Sequence, residues 1–590
     1  MKYNLFFLIF LSQFLYSQKY HLKINDTIEI NMLPNKNWIE VSSQQADLSI
    51  GIYSNNQLLS IENHSRGIHS YERINLANLR NQSNIKLKIW ANAYLQSARN
   101  IDILIKSTHS LSPIKTKFNT QLLSEDLEYF INLRKNANSG LYTYRSEKQI
   151  DSIYQWARKE VSKSTSIIDF YKIITVLTNF EGSCHNATFL PNSIPFYSED
   201  IFIPIVFKNL ENELFCNTSA TPIPLGSKII SINNRTSKEL IKQLSKYYNA
   251  DGFSHQSIEI KAFERNFWET YFLEYGTPKV FNIEYEHQNQ IKKIALKPIA
   301  LSEIKKRFNE RHSLSLDQIL TKEKYSFKKL QDNIYQLSIR GFDFAGSKTD
   351  TNYLKFEQFL ENVVSELNAD PKNELILDLR YNTGGAGILY EKVYSYFTNR
   401  PFRDSFYAYS NFNMIPFESQ FIISSYLISN QIMSTTDANP ILKTLYPNEV
   451  NGKYYISDEK NPLLLPNKNT FKGKIYLIID EKVASAGSHL ASLVKSYTNA
   501  TVIGKETNGG YYIHNGHLPV EYSLPHTGII TMFSILNVTQ DAEIKNDQPF
   551  GSGVRPHFYI NENVNDFLSS TDTYLNETLN IILKNKKTSN

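Results

Sequence analysis

The 590-residue chain contains only two cysteines, Cys184 and Cys216. That excludes a disulfide-stapled scaffold and any cysteine-rich zinc module, and leaves one possible pairing. Glycine (22) and proline (20) are too scarce for a collagen-like or Pro/Gly low-complexity chain. No sign of charge dominates: 63 Lys and Arg against 58 Asp and Glu leave a formal +5. Over this length no dense basic stripe results, which argues against a dedicated nucleic-acid binder. Beyond the first residues no segment approaches 18 uninterrupted apolar residues, so no membrane span is expected in the mature chain. HExxH, Walker and GxGxxG motifs are missing, so the sequence supports no metal and no nucleotide or dinucleotide cofactor.

What is present suits a folded, multidomain protein. Hydrophobic residues make up 41% and charged residues 21%, enough for sizeable cores. Lys2, the apolar run Leu5–Leu15 and the small residue Ser17 form a signal peptide over 1–17. The expected location is therefore the periplasm, the cell envelope or the exterior, where Cys184 and Cys216 could pair.

Four regions follow. Residues 18–112 alternate apolar and polar side chains, as in HLKINDTIEINM with a turn at Asn25-Asp26, and predict an accessory β-sandwich. Residues 120–190 predict three helices, the first capped by Ser124 and the last apolar at Phe170, Ile173, Ile174 and Leu177. Residues 195–300 return to strands. Within them Pro224–Asn234 and the helix Ser237–Leu244 are similar to the middle of a PDZ-like α+β domain, which can receive a peptide as an added strand. Residues 325–585 alternate strand and helix, with buried strands at ELILDLR and KIYLIID, and predict an α/β core with a mostly parallel sheet. Ligands in such sheets meet the carboxyl ends of strands, which here are the loops after Arg380 and Asp480.

In the second of these loops, Asp480–Ser488, a buried strand gives way to small residues and then a helix. A Ser on such a turn has its hydroxyl lifted clear of the sheet, so Ser485 is a physically sensible nucleophile, although Ser is also a common N-cap. The first loop ends in Gly384-Gly385, whose N–H groups, with that of Ala486, could form an oxyanion hole.

Together, ELILDLRYNTGG and KIYLIIDEKVASAGSHLASLVKSYTNATVIGKETNGG resemble the C-terminal-processing (tail-specific) serine peptidases. The resemblance implies a ClpP/crotonase-like core with Ser485 as nucleophile, and a protein or peptide substrate. Many members place a Lys about 25 residues after the Ser, but position 510 here is Gly, and Lys505 precedes that position. A second branch, similar to the tricorn core, uses His and Glu. Its His falls at His185, in Phe180–Thr188, and its Glu at Glu543, 58 positions after Ser485, with Asp541 as the nearest rival. Imidazole suits the base because its pKa lies near neutrality, and a carboxylate can fix its tautomer. The expectation is an exported serine endopeptidase using Ser485, His185 and Glu543, with Gly384, Gly385 and Ala486 as oxyanion hole. A non-catalytic peptide- or ligand-binding protein on a peptidase-like core and an enzyme using Lys505 as base are the alternatives. His489, His514 and His517 are read as packing or cleft-lining residues. Oligomeric state is not legible.

Overall fold

The structure, a computed structural model, describes residues 17–23, 26–32, 38–43, 45–62, 71–75, 79, 84–94, 100–108, 117–191, 201–254, 257–260, 267–301, 303–304, 307, 323–423, 427, 432 and 434–588. The signal peptide expected over 1–17 lies outside these residues except for Ser17, which opens the first strand. Among the described residues no helix is long and apolar enough to cross a membrane. Contacts divide the chain into two compact units.

The first unit comprises Met1–Thr116, Leu190–Ser198 and Ile422–Ser434. It holds two four-stranded antiparallel sheets. One runs Ser17–Lys23, Asn100–Thr108, Trp38–Ser43, Tyr71–Asn75; the other runs Ile28–Met32, Ile85–Tyr94, Ala46–Ser54, Gln57–Glu62. The period of two turns Ile85, Leu87 and Ile89 inward, where they join Val41, Ile50 and Ile101 in one apolar core. The two strands of HLKINDTIEINM therefore belong to different sheets.

The second unit comprises Lys117–Phe189, Glu199–Phe421 and Thr435–Asn590. Its three leading helices are Thr120–Ala137, Glu147–Val161 and Ile167–Phe180. The first starts earlier than expected: Asn119 caps it, and Ser124 instead donates back to the Thr120 carbonyl inside the helix. Ser146 with Gln149 forms a capping box on the second, and Ser166 caps the third.

An antiparallel sheet follows, ordered Phe207–Leu210, Glu213–Cys216, Lys228–Ile232, Phe281–His287, Gln290–Leu296. Asn233 and Asn234 both have positive φ, at 49° and 62°, and turn the chain into Arg235–Thr236 and the helix Ser237–Leu244. The edge strand Gln290–Leu296 is largely exposed.

The core sheet runs Tyr325–Gln331, Ile334–Ile339, Glu374–Asp378, Ile475–Ile479, Thr501–Gly504, Phe558–Tyr559; only its first pair is antiparallel. Both faces are covered. Leu337, Leu375, Leu377, Leu477 and Ile479 pack under helices Thr351–Leu367, Gly387–Ser395 and Ala486–Tyr497. Their alternates Ile376, Tyr476, Ile478 and Ile503 meet Ile582 of the final helix, Thr573–Thr588. This two-sided burial explains why the strands read as unbroken apolar runs.

Two smaller sheets flank the core. One runs Asn448–Val450, Lys453–Tyr455, Ser405–Ser410, Leu536–Gln540, Ile513–His514. The other pairs Pro519–Ser523 with Ile530–Ser534, and Ile530–Ser534 with Ala187–Phe189 from the front of the unit. Cys184 and Cys216 are both free thiols, so the disulfide considered from sequence is not formed.

Candidate active site

The strands Glu374–Asp378 and Ile475–Ile479 are neighbours, so the loops at their carboxyl ends lie side by side. Buried charge anchors the first loop. Asp378 accepts from both Arg380 and Arg340, and Arg380 also pairs with Asp572 at 2.7 Å. Burial alone would raise the Asp378 pKa, but the two guanidiniums hold it below the usual carboxylate range. Asp480 ends the second strand and receives the Tyr381 N–H at 3.1 Å. Burial, with Glu481 beside it, pushes its pKa up to about 6.

Asn382 joins the two loops. Fully buried, it donates to the Ile339 carbonyl, accepts the Gly384 N–H on its side chain at 2.9 Å, and accepts the Ala484 N–H on its backbone at 3.0 Å. Gly384 is thereby pressed against the nucleophile loop: at φ +104°, a β-carbon on it would stand 2.5 Å from that of Ser485.

Ser485 precedes the helix Ala486–Tyr497 with φ 52° and ψ −131°, and its side chain makes no capping hydrogen bond. An L-residue adopts that backbone only where its surroundings impose it. The Ser is therefore not an ordinary N-cap. Among the described residues its hydroxyl has no hydrogen-bond partner, and neither do the N–H groups of Gly385 and Ala486. The Gly384 N–H, in contrast, is taken by Asn382, so the donors available beside Ser485 are those of Gly385 and Ala486.

His185 follows the third leading helix and reaches this region by two routes. Immediately after it, Ala187–Phe189 pairs with Ile530–Ser534, Met532 opposite Ala187. On its other side the Cys184 N–H donates to Asp251, whose second oxygen accepts the Gly510 N–H. Gly509 in turn abuts Ser485, where an added β-carbon would lie 3.1 Å from the Ser485 nitrogen. Gly516 packs against the ring: a β-carbon there would meet His185 Nε2 at 2.5 Å. Backbone hydrogen bonds through Asp251 and the loop at 509–510 thus join the turn that carries His185 to the loop that carries Ser485.

Residues 337–559 match the family model for peptidase family S41. Over those residues the chain is similar to peptidase family S41. It is a serine-type peptidase. Solved structures similar to the chain include mature CPAF complexed with lactacystin, at 13% identity and a TM-score of 0.54, covering 79% of this chain and 98% of that one. Mature CPAF matches at 14% identity and a TM-score of 0.50, covering 76% and 94%. The photosystem II D1 C-terminal processing protease matches at 10% identity and a TM-score of 0.32, covering 75% and 94%. No curated protein matches the sequence.

Within this S41 site Glu543 stands apart. Its carboxylate pairs with Lys545 at 2.7 Å and is half exposed, and among the described residues it has no contact with His185. Asp541 is likewise engaged, by Tyr497 and Arg400. Lys505 opens the loop after Thr501–Gly504, its N–H held by the Ile479 carbonyl.

Sequence reasoning missed the carboxylate that does face imidazoles. Asp404 lies 3.9 Å from His489 Nδ1 and 3.6 Å from His517 Nε2, and accepts the Tyr390 hydroxyl. The His514 ring stands 5.5 Å from His489, 5.0 Å from His517 and 6.2 Å from His185. Burial lowers the His489 pKa to about 4 against the pull of Asp404, and burial with the neighbouring rings puts His514 well below the ordinary range. The signal available in sequence was the bunching of His489, His514 and His517 close after Ser485. Nothing in the pattern marked Asp251 or Asp404, which act through partners distant in the chain. Beside His514, a cleft of about 660 Å³ opens between Tyr142, Tyr407, Tyr409, Lys453, Tyr455 and Ile513.

Proposed function

We propose that this S41 peptidase is an exported endopeptidase that cleaves peptide bonds through a Ser485 acyl-enzyme, with His185 as base. His185 takes the hydroxyl proton as Ser485 Oγ attacks the carbonyl, and the N–H groups of Gly385 and Ala486 hold the developing oxyanion. The C–N bond then breaks, the proton passes to the leaving amine, and water hydrolyses the ester with His185 again as base. The family resemblance names Glu543 as the carboxylate that orients the imidazole; paired here with Lys545, it would take that role only if substrate drew it onto His185.

The observation that carries this reading is the Ser485 backbone, φ 52° and ψ −131° at a strand-to-helix turn, with a hydroxyl that makes no hydrogen bond among the described residues. Export rests on the apolar run at Leu5–Leu15. The sheet of residues 207–296 serves as a PDZ-like module offering its exposed edge, Gln290–Leu296, to an incoming peptide, and residues 18–112 as an accessory β-sandwich. The cleft lined by tyrosines is large enough to hold part of a peptide chain.

A fluorophosphonate probe tests the reading. It should label the wild type on Ser485 and leave Ser485→Ala unmodified. If the folded wild type resists labelling while a peptide library binds to it, the chain is a peptide binder on an S41 core.

A further inference from the structure

The turn after the helix Ile167–Phe180 and the turn at Asp251 bring three potential ligands to one point. Cys184 Sγ, a ring nitrogen of His185 and a carboxylate oxygen of Asp251 all lie within 4.8 Å of one another. Sγ and His185 Nδ1 are 3.4 Å apart. Two ligands on a tetrahedral zinc ion, at about 2.3 Å for sulfur and about 2.0 Å for nitrogen, stand about 3.5 Å apart. That pair is already at ligand spacing, and a carboxylate oxygen of Asp251 lies within 4.8 Å of both.

Asp251 is held for the task. It is buried, and each oxygen accepts one backbone N–H, from Cys184 at 2.8 Å and from Gly510 at 3.0 Å. One lone pair on each oxygen remains, and the carboxylate cannot swing away. The mixed set of thiolate, imidazole and a single carboxylate suits a borderline cation and not calcium or magnesium, which want several oxygens.

We propose that Cys184, His185 and Asp251 form an inhibitory site for a zinc-class divalent cation, with a fourth position left for water. An ion on Nδ1 leaves the His185 ring with its remaining proton on Nε2 and no lone pair to accept another. Metal occupancy and general-base function therefore exclude each other. This second half rests on the reading of His185 as base; the binding half does not.

Two experiments separate them. Chelator-treated Ser485→Ala protein, which needs no turnover, is titrated with Co2+ and followed by absorption. A saturable thiolate-to-cobalt band at one equivalent, displaced by Zn2+, is expected. Cys184→Ala and Cys184→Ser should abolish the band, Asp251→Asn should weaken affinity about tenfold or more, and Cys216→Ala should retain it. No saturable band, or full affinity in folded Cys184→Ser, overturns the site. In the second experiment Zn2+ should suppress wild-type peptide hydrolysis and spare Cys184→Ala. Equal zinc sensitivity in both overturns the inhibitory role while leaving the peptidase reading intact. A wild type that binds cobalt yet never turns over leaves the site standing and removes the peptidase mechanism.

Discussion

Gly384 and Ser485 approach so closely that a β-carbon on the glycine would stand 2.5 Å from the serine's own. The contact is backbone against nucleophile, and no flexible side chain can yield. Gly384→Ala must therefore push the two loops apart, besides placing an L-residue at φ +104°. The expected result is a loss in kcat/KM of about 100-fold or more, because a displacement of about 1 Å at a reacting centre costs that much. Steady-state kinetics and fluorophosphonate labelling rates check this, and near-wild-type rates would contradict the close packing of the loops.

A second prediction concerns how the front of the unit carries His185. Arg134 and Glu181 form a buried pair at 2.8 Å, and the other Glu181 oxygen accepts from Asn138 and Asn186. Asn186 is the residue after His185, so this network holds the turn from both sides. Burial raises the Glu181 pKa, with Arg134 opposing. Glu181→Ala would leave the guanidinium buried and unpaired, against Phe533 at 4.3 Å. A loss of about 3–5 kcal/mol in unfolding free energy is expected by denaturant titration. Arg134→Met with Glu181→Leu together should recover much of it, since both buried charges are then gone.

What the sequence could reveal follows from where the information lies. Ile376 and Leu377 face opposite sides of one sheet, each covered by helix, and such strands announce themselves as apolar runs. The turn that carries Ser485 was legible because a buried strand, a small-residue turn and an apolar helix are consecutive in the chain. The paired glycines of the neighbouring loop were legible for the same reason. Ser124 misled because a capping residue and a helix-interior serine differ only in which carbonyl or N–H they find, and Asn119 wins the cap. Asp251 could not be read at all: its value comes from N–H groups at Cys184 and Gly510, brought to it only by folding. The free state of Cys184 and Cys216 is likewise a matter of tertiary placement.

The histidines set the pH response of stability. His489 is 1% exposed and its ordinary pKa of 6.5 falls to about 4 on burial. Below about pH 6.5 the unfolded chain takes up a proton that the fold refuses, so stability falls as pH drops towards 4, by on the order of 3 kcal/mol for this one group. Glu391 acts in the opposite sense. Burial and Asp404 raise its pKa from 4.5 to about 7, so its contribution is full below about 4.5 and is lost as pH rises through 7. Denaturant unfolding at pH 4.5, 7 and 8 checks both. His489→Gln should flatten the acid side. Glu391→Gln should gain on the order of 1–3 kcal/mol at pH 8 over its difference at pH 4.5.

The last prediction separates the groups that could serve His185. Asp404 stands part-buried among imidazoles, and although desolvation alone would raise its pKa, His517, His489 and the Tyr390 hydroxyl keep it low. It therefore presents a fixed negative charge to a cluster whose rings lead to His185 in steps of 5.0–6.2 Å. Glu543 already has Lys545, in a solvated setting where such a pair contributes little. Asp404→Asn should lower kcat/KM at least tenfold and change the pH–rate profile, whereas Glu543→Gln should cost less than threefold in the arrangement described here, both on the order of what an indirect and a solvated charge contribute. A large, pH-independent loss confined to Glu543→Gln would mean that substrate draws Glu543 onto His185. His185→Ala should lower kcat by about 100-fold or more while Lys505→Ala leaves it nearly unchanged. The reverse ranking would make Lys505 the base and dissolve the link between the front helices and the chemistry.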